Sequence, residues 1–320
     1  MELNLTHSAE EDTRRDFDVI IIGAGASGFS AAIYAVRSGL SAVILDKSVS
    51  GGLTAEAPLV ENYLGFKAIP GIDLAREFAN HASEYAPVNE YTEVYSIKRN
   101  SEKFTVETNK GNYTGSSVII ATGTTHKHLN VPGEKEYYGK GVSYCSTCDG
   151  YLFKDKKVAV IGGGNSGAIA AISMSEYTRE MNILEFMPRY MCEEAYINTI
   201  KNRKIPYLMN SQVLEITGNG KKVTGVRYRN RETGKEGVVE ADGVFIYVGL
   251  LPQTGFLKDS GVKLNDRGYI DVDQKGRTSV KGIYASGDVT GTEAQIATAV
   301  GDGCRVSMTL YSDLLKAGKR

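Results

Sequence analysis

The feature that most constrains the fold is a repeated pattern of strand, glycine turn and helix. Residues 17–39 read FDVIIIGAGASGFSAAIYAVRSG and are followed by the strand SAVILD, which ends at Asp46. The pattern recurs as KVAVIGGGNSGAIAAISMSEYT, followed by MNILEF, and the first glycines of the two turns, Gly23 and Gly162, lie 139 residues apart. This internal duplication predicts an α/β fold with two Rossmann-like dinucleotide-binding domains.

The order of the segments predicts that the second domain is inserted in the first. Each copy is closed by an apolar strand that runs into a glycine, SVIIATG at 117–123 and GVFIYVG at 243–249. Residues 250–320 are too few for a third such domain, so we expect them to complete the first. The predicted domains are therefore 16–124 with 250–320, and 125–249, after a flexible tail at 1–15. Segments 100–116 and 218–240 predict β-meander strands beside central parallel sheets, in a three-layer arrangement.

Composition and charge exclude several classes of partner. The 320 residues carry a net charge of -1, which gives no electrostatic reason to bind nucleic acid or an anionic membrane. No apolar run approaches the roughly 18 residues of a membrane-spanning helix, and the polar N-terminus does not resemble a signal peptide. We therefore expect a cytoplasmic protein. Passive disulfides do not persist in that compartment, so a CxxC pair there is expected to be catalytic or metal-binding.

The first glycine turn is typical of a dinucleotide site. Gly23 permits the tight turn, Gly25 lets the backbone approach a pyrophosphate, and Gly28 lets the helix pack closely on the strand. Asp46 follows 18 residues after Gly28 and is placed to accept a hydrogen bond from a ribose. Strand, turn, helix and acid together predict that a dinucleotide binds here.

The second glycine turn has the same spacing but a different end to its next strand. Gly162, Gly164 and Gly167 form GGGNSG, and Glu185 stands at the ribose position, 18 residues after Gly167. A carboxylate there favours a free 2′-hydroxyl and repels a 2′-phosphate. The site is therefore compatible with NADH and disfavours NADPH, and a turn that no longer binds any nicotinamide stays open as an alternative.

The residues after Glu185 support the same interpretation. Phe186 and Met187 follow it directly, and neither side chain binds phosphate. Arg189 is the only nearby cation in the sequence and stands behind Pro188. We expect no recognition of a 2′-phosphate at this strand end.

The stretch CSTCDG at 145–150 lies between the two domain signatures. Cys145 and Cys148 form a CxxC pair that suits a redox-active disulfide, and Asp149 is placed to act as a general acid and base. A structural zinc site is the alternative, because His126 and His128 precede the pair and would complete four ligands. The position between two nucleotide folds favours the redox interpretation, so no metal is expected.

Several further motifs point to one family. They are GG at 51–52, VENYLGF at 60–66, IIATGTT at 119–125, VPGE at 131–134, YASGDV at 284–289 and QIATAVGDG at 295–303, together with GAGASG, CSTCDG and GGGNSG. On these motifs the chain resembles low-molecular-weight thioredoxin reductases, the FAD-dependent class II pyridine nucleotide-disulfide oxidoreductases, over nearly its whole length from about Phe17.

The resemblance implies a set of sites. Cys148 faces the flavin, Cys145 attacks the disulfide of thioredoxin or a similar small redox protein, and Asp149 handles the proton. Family members are homodimers, and their hinges correspond to positions near Thr124 and at 249–251. The implied FAD-binding residues are Gly23, Gly25, Ala26, Gly28, Asp46, Lys47, Gly52, Leu53, Asn62, Thr122, Gly123, Gly287, Asp288, Gln295 and Ile296. The candidate nicotinamide site comprises Gly162, Gly164, Asn165, Ser166, Gly167 and Glu185.

The chain also departs from the family pattern at the residues that read NADPH. The family stretch HRRxxxR aligns with Glu185, Phe186, Met187 and Met191, so all three arginine positions are lost, and Ala294 replaces another arginine. NADH, a reduced ferredoxin or a reduced flavin then become candidate electron donors. Two alternatives stay open: an FAD-dependent dithiol oxidase that passes electrons to oxygen, and a flavin- or zinc-binding protein without turnover.

Overall fold

The computed structural model describes residues 15–57, 60–178 and 180–318, and only the backbone of Thr147 and Cys148. Nearly all of the expected N-terminal tail lies outside the described residues. Within them the strands are β1 Asp16–Ile22, β2 Ala42–Leu45, β3 Val88–Asn89, β4 Val94–Asn100, β5 Lys103–Thr108, β6 Gly111–Ile120, β7 Thr124–His126, β8 Val142–Ser143, β9 Val158–Ile161, β10 Met181–Leu184, β11 Tyr207–Leu208, β12 Ser211–Gly218, β13 Val223–Asn230, β14 Glu236–Glu240, β15 Gly243–Ile246, β16 Leu250–Pro252 and β17 Ile283–Ala285.

The helices alternate with these strands, as an α/β fold requires. The described α-helices are α1 Ala26–Arg37, α2 Gly52–Glu56, α3 Gly71–Ser83, α4 Ser146–Asp149, α5 Asn165–Met174, α6 Glu194–Asn202 and α7 Ile296–Lys316. Short 3-10 helices span Gly150–Phe153, Gly255–Leu257 and Gly287–Thr290. Among the described helices, none combines the length and the hydrophobicity that a membrane crossing requires.

The chain forms two compact units. Within the described residues, the first contains 15–56, 72–124 and 252–318, and the second contains 57–71 and 125–251 apart from the undescribed positions. The sequence assigned all of 16–124 to one domain, whereas 57–71 packs with the second unit. That segment carries Asn62, one of the residues implied by the resemblance to bind FAD.

The first unit is built on a mainly parallel sheet with the strand order β3-β2-β1-β6, to which β17 adds beside β6. Strands β4, β5 and the first half of β6 form an antiparallel meander on the same sheet, with Phe104 opposite Gly115. Alternate residues of β1 face opposite layers: Ile20 and Ile22 pack with the meander side, and Val19 and Ile21 pack against α1 and α7. The predicted parallel sheet, its helical layer and its β-meander are confirmed.

Close packing of α1 on α7 depends on a glycine. A Cβ at Gly303 of α7 would lie 2.2 Å from the carbonyl oxygen of Ser27 in α1. The Ser307 hydroxyl, one turn further along α7, donates a hydrogen bond to the carbonyl oxygen of Ala31 at 2.6 Å. The two helices therefore touch backbone to backbone, which leaves no space for a larger residue at position 303.

The second unit repeats the parallel core on a smaller scale. Its five-stranded sheet has the order β11-β10-β9-β15-β8, and all the neighbours are parallel. Strands β12, β13 and β14 form a separate antiparallel sheet, which matches the meander predicted at 218–240. The segments that join the two units, β7 and β16, pair with each other as a two-stranded sheet.

The glycines of α7 provide a matched test of this packing. Gly303→Ala is expected to lower the free energy of unfolding by about 3 kcal/mol or more, because the new methyl group meets backbone atoms of α1. Gly301→Ala, in the same helix with no atom within 4 Å of its Cβ position, is expected to raise stability by up to about 1 kcal/mol. Urea unfolding followed by circular dichroism measures both values. Equal effects of the two substitutions would contradict the packing described.

Candidate functional site

The first glycine turn has the geometry that its sequence predicts. Gly23 has φ +112°, its N–H donates to the Leu45 carbonyl oxygen at 2.8 Å, and a Cβ there would lie 2.3 Å from the Ala121 carbonyl oxygen. A Cβ at Gly28 would lie 1.9 Å from the carbonyl oxygen of Gly23. Gly25, by contrast, has no atom within 4 Å of its Cβ position. Two of the glycines therefore serve close packing, and Gly25 faces open space where a ligand fits.

Asp46 holds this turn in place through both carboxylate oxygens. Its Oδ2 accepts a hydrogen bond from the N–H of Ala24 at 2.7 Å, and its Oδ1 accepts from the N–H and hydroxyl of Ser48 at 2.8 and 3.0 Å. The neighbouring Lys47 donates from Nζ to Oε1 of Gln253 at 2.8 Å. The acid thus connects the end of β2 with the turn after β1.

Other residues implied for FAD lie at the same edge of this sheet. Gly52, followed by Leu53 in α2, would place a Cβ 3.5 Å from the Cα of Gly25. After β6, the Thr122 hydroxyl donates to the carbonyl oxygen of Gln253 at 2.8 Å, and Gly123 has φ +61° and open space at its Cβ position. The carboxyl ends of parallel strands are where this class of fold binds ligands.

The end of β17 contributes a buried carboxylate to this edge. Gly287 has φ +72°, and a Cβ there would lie 2.9 Å from the Cβ of Ser27 in α1. The next residue is Asp288: burial, with a smaller contribution from the nearby Asp302 carboxylate, raises the pKa of Asp288 to about 6. A carboxyl group that resists ionisation at this position is suited to hydrogen bonding with a hydroxylated ligand.

The remaining residues implied for FAD divide between the two units. Gln295 precedes α7, where its carbonyl oxygen accepts from the Ala299 N–H at 3.0 Å, and Ile296 is the first residue of that helix. Ala26 is the first residue of α1 and is buried. The first unit therefore brings together every residue of the implied set except Asn62, which belongs to the second unit.

The second glycine turn reproduces the first almost contact for contact. The Gly162 N–H donates to the Leu184 carbonyl oxygen at 2.9 Å, and a Cβ at Gly162 would lie 2.3 Å from the carbonyl oxygen of Tyr247. A Cβ at Gly167 would lie 1.8 Å from the carbonyl oxygen of Gly162, and Gly164 has open space. The duplication seen in the sequence is therefore a duplication of backbone geometry.

Glu185 occupies the place that Asp46 has in the first unit. Its Oε2 accepts from the Gly163 N–H at 2.6 Å and its Oε1 from the Met187 N–H at 2.8 Å, and the side chain is buried. At the start of α5, the amide of Asn165 donates to Glu193 at 2.7 Å and accepts from its N–H at 2.9 Å. Ser166 follows in the first turn of α5. The six residues of the candidate nicotinamide site thus lie on the turn after β9, the start of α5 and the end of β10.

Cys145 directly precedes the short helix α4 and is disulfide-bonded. The side chain of Cys148 lies outside the described residues. Asp149 ends the helix, and its N–H donates to the Cys145 carbonyl oxygen at 3.1 Å. Its carboxyl group is buried: Oδ2 accepts from the Ser143 hydroxyl at 2.6 Å, and Oδ1 has no hydrogen-bond partner among the described residues. Burial raises the pKa of Asp149, and the hydrogen bond from Ser143 lowers it in part.

Two residues at this site were missed by the sequence analysis. The Ser143 hydroxyl joins Asp149 to Cys145, whose N–H it accepts at 3.0 Å. The Tyr247 hydroxyl accepts from the Ser146 N–H at 2.6 Å and donates to the Ser146 hydroxyl at 2.8 Å. Ser143 stands two residues before Cys145, so its closeness in the sequence could have indicated a contact with the CxxC pair. Tyr247 is 101 residues from Ser146, and nothing in the sequence indicated that the two residues meet.

This geometry agrees with what comparison with known proteins shows. Residues 17–303 match the family model of the pyridine nucleotide-disulphide oxidoreductases. The chain belongs to this family. Its members include curated relatives named thioredoxin reductase, from Listeria monocytogenes at 38% identity over 90% of each chain, and from Bacillus subtilis at 36% identity over 90% of this chain and 91% of the relative.

Solved structures give the same result. The thioredoxin reductase of T. acidophilum is 67% identical over 94% of this chain and all of its own, with a TM-score of 0.68. That of Streptococcus pyogenes is 35% identical over 95% of this chain and all of its own, with a TM-score of 0.86. The chain is therefore an oxidoreductase of the thioredoxin reductase type, and its fold with two dinucleotide-binding domains is confirmed.

A second group of family members is longer. A curated relative from Pseudomonas putida, named as a component of alkyl hydroperoxide reductase, is 36% identical over 95% of this chain, but the alignment spans only 59% of that relative. The chain thus matches a little over half of such proteins. The rest of such proteins has no counterpart in the aligned part of this chain.

The strand end after Glu185 departs from the sequence expectation. Arg189 is not the only nearby cation: Arg231, from the turn between β13 and β14, lies 3.8 Å from the ring centroid of Phe186 and donates from Nη1 to the Phe186 carbonyl oxygen at 3.0 Å. Arg231 is 45 residues from Phe186, so only the hairpin fold brings them together. Phe186 and Met187 themselves are partly exposed, as expected for residues of a strand end.

The two histidines of the zinc alternative have other partners. His126 stacks on the Tyr144 ring with centroids 4.6 Å apart, and Nδ1 of His128 lies 2.8 Å from the Tyr144 hydroxyl. That hydroxyl donates to Oε1 of Glu134 at 2.7 Å. Burial and the neighbouring His128 lower the pKa of His126. Among the described residues, no group of three or more potential ligands is arranged to hold a metal ion.

The raised pKa of Asp288 predicts a pH-dependent stability of the flavin-free protein. In the unfolded chain its pKa is about 4, and in the folded chain it is about 6. Between these values the folded state holds the proton and the unfolded state does not. The free energy of unfolding should therefore fall by about 3 kcal/mol as the pH rises through this window, and remain lower above it.

Asp288→Asn should abolish this loss, because asparagine does not ionise. Urea unfolding of flavin-free wild type and variant at several pH values checks the prediction. Asp266→Asn, an exposed aspartate of the same unit, serves as the matched control and should follow the wild type. If the free energy of unfolding depends on pH in the same way in the wild type and in Asp288→Asn, Asp288 is not the group responsible.

Proposed function

We propose that this oxidoreductase is an FAD-dependent disulfide reductase that passes electrons through the Cys145 and Cys148 pair to thioredoxin or a similar small redox protein. The observation that carries the proposal is the disulfide-bonded Cys145 beside the buried carboxylate of Asp149. A purely structural disulfide needs no acid or base next to it, whereas thiol exchange does.

The residues of the first unit fit FAD. Open space at Gly25 and Gly123 lets a pyrophosphate approach the backbone, and the Asp46 carboxylate stands beside the turn. The hydroxyl of Thr124 is buried and has no hydrogen-bond partner among the described residues, as expected where a polar ligand group completes a site. Asp288 would contact the ribityl chain, as the resemblance to the family implies. FAD, when bound, supplies a two-electron acceptor and donor.

The residues of the second unit carry the proposed thiol chemistry. Cys145 acts as the sulfur that attacks the partner's disulfide, and Cys148 as the sulfur that faces the flavin. Asp149 retains one carboxylate oxygen without a hydrogen-bond partner among the described residues, so this oxygen is available to exchange a proton with a thiol. Burial raises the pKa of Asp149 towards the pH range in which thiol and thiolate interconvert.

We propose further that the electron donor is not NADPH. We expect the buried Glu185 carboxylate, which is held by two backbone N–H groups, to repel a 2′-phosphate at this strand end. Arg231 brings a cation near this strand end, which by itself would favour a 2′-phosphate. Its guanidinium already contacts the Phe186 ring and carbonyl oxygen, so we expect the Glu185 carboxylate to determine which nucleotide binds. NADH, a reduced ferredoxin or a reduced flavin are the candidate donors.

The remaining proposals concern domains and assembly. The FAD-binding domain would comprise 16–124 and 250–320, and the inserted domain with the CxxC pair 125–249. Segment 57–71, which carries Asn62, packs with the second unit. We propose a homodimer in the cytoplasm, on the resemblance to the family.

Cys145→Ser tests the redox role of the pair. Dithiothreitol should bleach the flavin of the wild type under anaerobic conditions, and this reaction should slow more than about 100-fold in the variant, because serine cannot form a disulfide. Cys192→Ser and Cys304→Ser are the matched controls, since both of these cysteines are free. Stoichiometric zinc in the pure wild type that is lost in Cys145→Ser would instead support the structural alternative.

Anaerobic titration with NADPH, NADH and dithiothreitol tests the donor. We expect dithiothreitol to reduce the flavin and NADPH to be poor at micromolar concentration. If NADPH reduces the wild type as efficiently as NADH, the proposal about the donor is wrong. Loss of that reduction in Arg231→Ala would then identify Arg231 as the residue that binds the 2′-phosphate. If only dithiothreitol reduces the flavin and oxygen restores it with peroxide formed, the chain is a dithiol oxidase.

A further inference from the structure

Ser143 links the nucleophilic cysteine to the carboxyl group behind it. It is the last residue of β8, its side chain is buried, and its hydroxyl lies 2.6 Å from Oδ2 of Asp149. The same oxygen accepts the Cys145 N–H at 3.0 Å. A single hydroxyl group therefore contacts Cys145, which directly precedes α4, and Asp149, which ends it.

These contacts close a small ring. The Asp149 N–H donates to the Cys145 carbonyl oxygen at 3.1 Å, which completes a circuit through Ser143, Cys145 and Asp149. The Ser143 hydroxyl has one proton, and the Cys145 carbonyl oxygen at 3.4 Å competes for it. The shorter distance and the charge of the acceptor favour the carboxylate. Rotation of the Asp149 side chain is thereby restricted while its Oδ1 is left without a partner among the described residues.

Among the described residues, the titratable groups that face Asp149 from other elements are two phenols. Tyr247, after β15, and Tyr151, in the 3-10 helix Gly150–Phe153, both interact electrostatically with it, and burial raises the pKa of each phenol. The Glu61 carboxylate lies beyond Tyr151, with which it shares a hydrogen bond. Helix α5, which packs against α4, carries no titratable side chain in NSGAIAAISM. Ser143 is the hydrogen-bond donor to this carboxylate among the described residues, so its hydroxyl is the main stabiliser of the ionised form.

We propose that Ser143 is a positioning residue that sets the orientation and proton affinity of Asp149 for thiol exchange. The inference rests on the proposed function of the CxxC pair. When a dithiol opens the disulfide, its thiolate bonds to Cys145 and the bond to Cys148 breaks. Cys148 leaves as a thiolate and takes a proton from Asp149. The second thiol of the dithiol gives its proton to Asp149 and displaces Cys145, whose thiolate takes up the proton that the first thiol released to solvent. The dithiol leaves as a cyclic disulfide, and the protein keeps the electron pair as two thiols.

Two measurements test this role. In the oxidised protein, NMR of carbon-13-labelled aspartate side chains reports the pH at which Asp149 ionises, with Asp149→Asn identifying the signal. Ser143→Ala should move this ionisation upward by roughly one pH unit, because a hydrogen bond to the charged form is lost. In the FAD-loaded protein, the pH profile of flavin reduction by dithiothreitol should have a limb that Asp149→Asn removes and that Ser143→Ala moves in the same upward direction.

Matched variants separate positioning from general loosening of the helix. Ser143→Thr keeps the hydroxyl and should restore the wild-type ionisation. Tyr247→Phe removes two hydrogen bonds to the same helix and none to Asp149, so it should shift the ionisation much less than Ser143→Ala does. A shift with Tyr247→Phe as large as with Ser143→Ala, or no rescue by Ser143→Thr, overturns the inference.

The failure of the inference is distinguishable from the failure of the proposed function. If Asp149→Asn leaves the pH profile unchanged, the proposed acid-base role is wrong. If Asp149→Asn removes a limb that Ser143→Ala does not move, only the role of Ser143 is wrong. Should Ser143→Ala not fold, the double variant Ser143→Ala/Asp149→Asn decides. It folds if Ser143 acts through the carboxylate, and its failure to fold overturns the inference.

Discussion

The contact on which both units depend is the approach of a helix to the glycine that starts its turn. In each copy, the carbonyl oxygen of the first glycine occupies the space in which a Cβ of the third would lie, at 1.9 Å for Gly28 and 1.8 Å for Gly167. The helix can begin directly above the end of the strand only because that Cβ is missing. Its N-terminus then faces open space at Gly25 or Gly164, so a packing requirement of the fold also creates the ligand site.

The two turns share one backbone geometry, but the acids after the second strands are followed by different residues. Asp46 and Glu185 make equivalent bonds to the backbone of their turns. Asp46 is followed by Lys47, which is held by a side chain of its own unit, whereas Glu185 is followed by Phe186, on which Arg231 stacks. The duplicated backbone is therefore surrounded by different side chains at its two strand ends.

Local patterns were sufficient for much of the fold. Strand β1, its turn and α1 were predictable because an apolar run, three glycines and a small-residue helix lie next to one another in the chain. The glycine turn and acid of each candidate nucleotide site were found for the same reason. The membership of 57–71 in the second unit, the stacking of Arg231 on Phe186 and the bond from Tyr247 to Ser146 depend on long-range packing. No periodicity in the sequence encodes which distant segments meet.

Helix α4, which follows Cys145, shows how such distant contacts hold a short element in place. Helix α4 has four residues, too few to be stable by itself, and its first N–H groups have no partners within the helix. The Tyr247 hydroxyl accepts the N–H of Ser146, and the Ser143 hydroxyl accepts that of Cys145. Free N–H groups at a helix N-terminus are what commonly lower the pKa of a cysteine thiol. Both of these N–H groups are already bonded, so neither is free to stabilise a thiolate at Cys145. The buried carboxyl group of Asp149, four residues further along the chain, is the nearby group for which we propose the proton transfer.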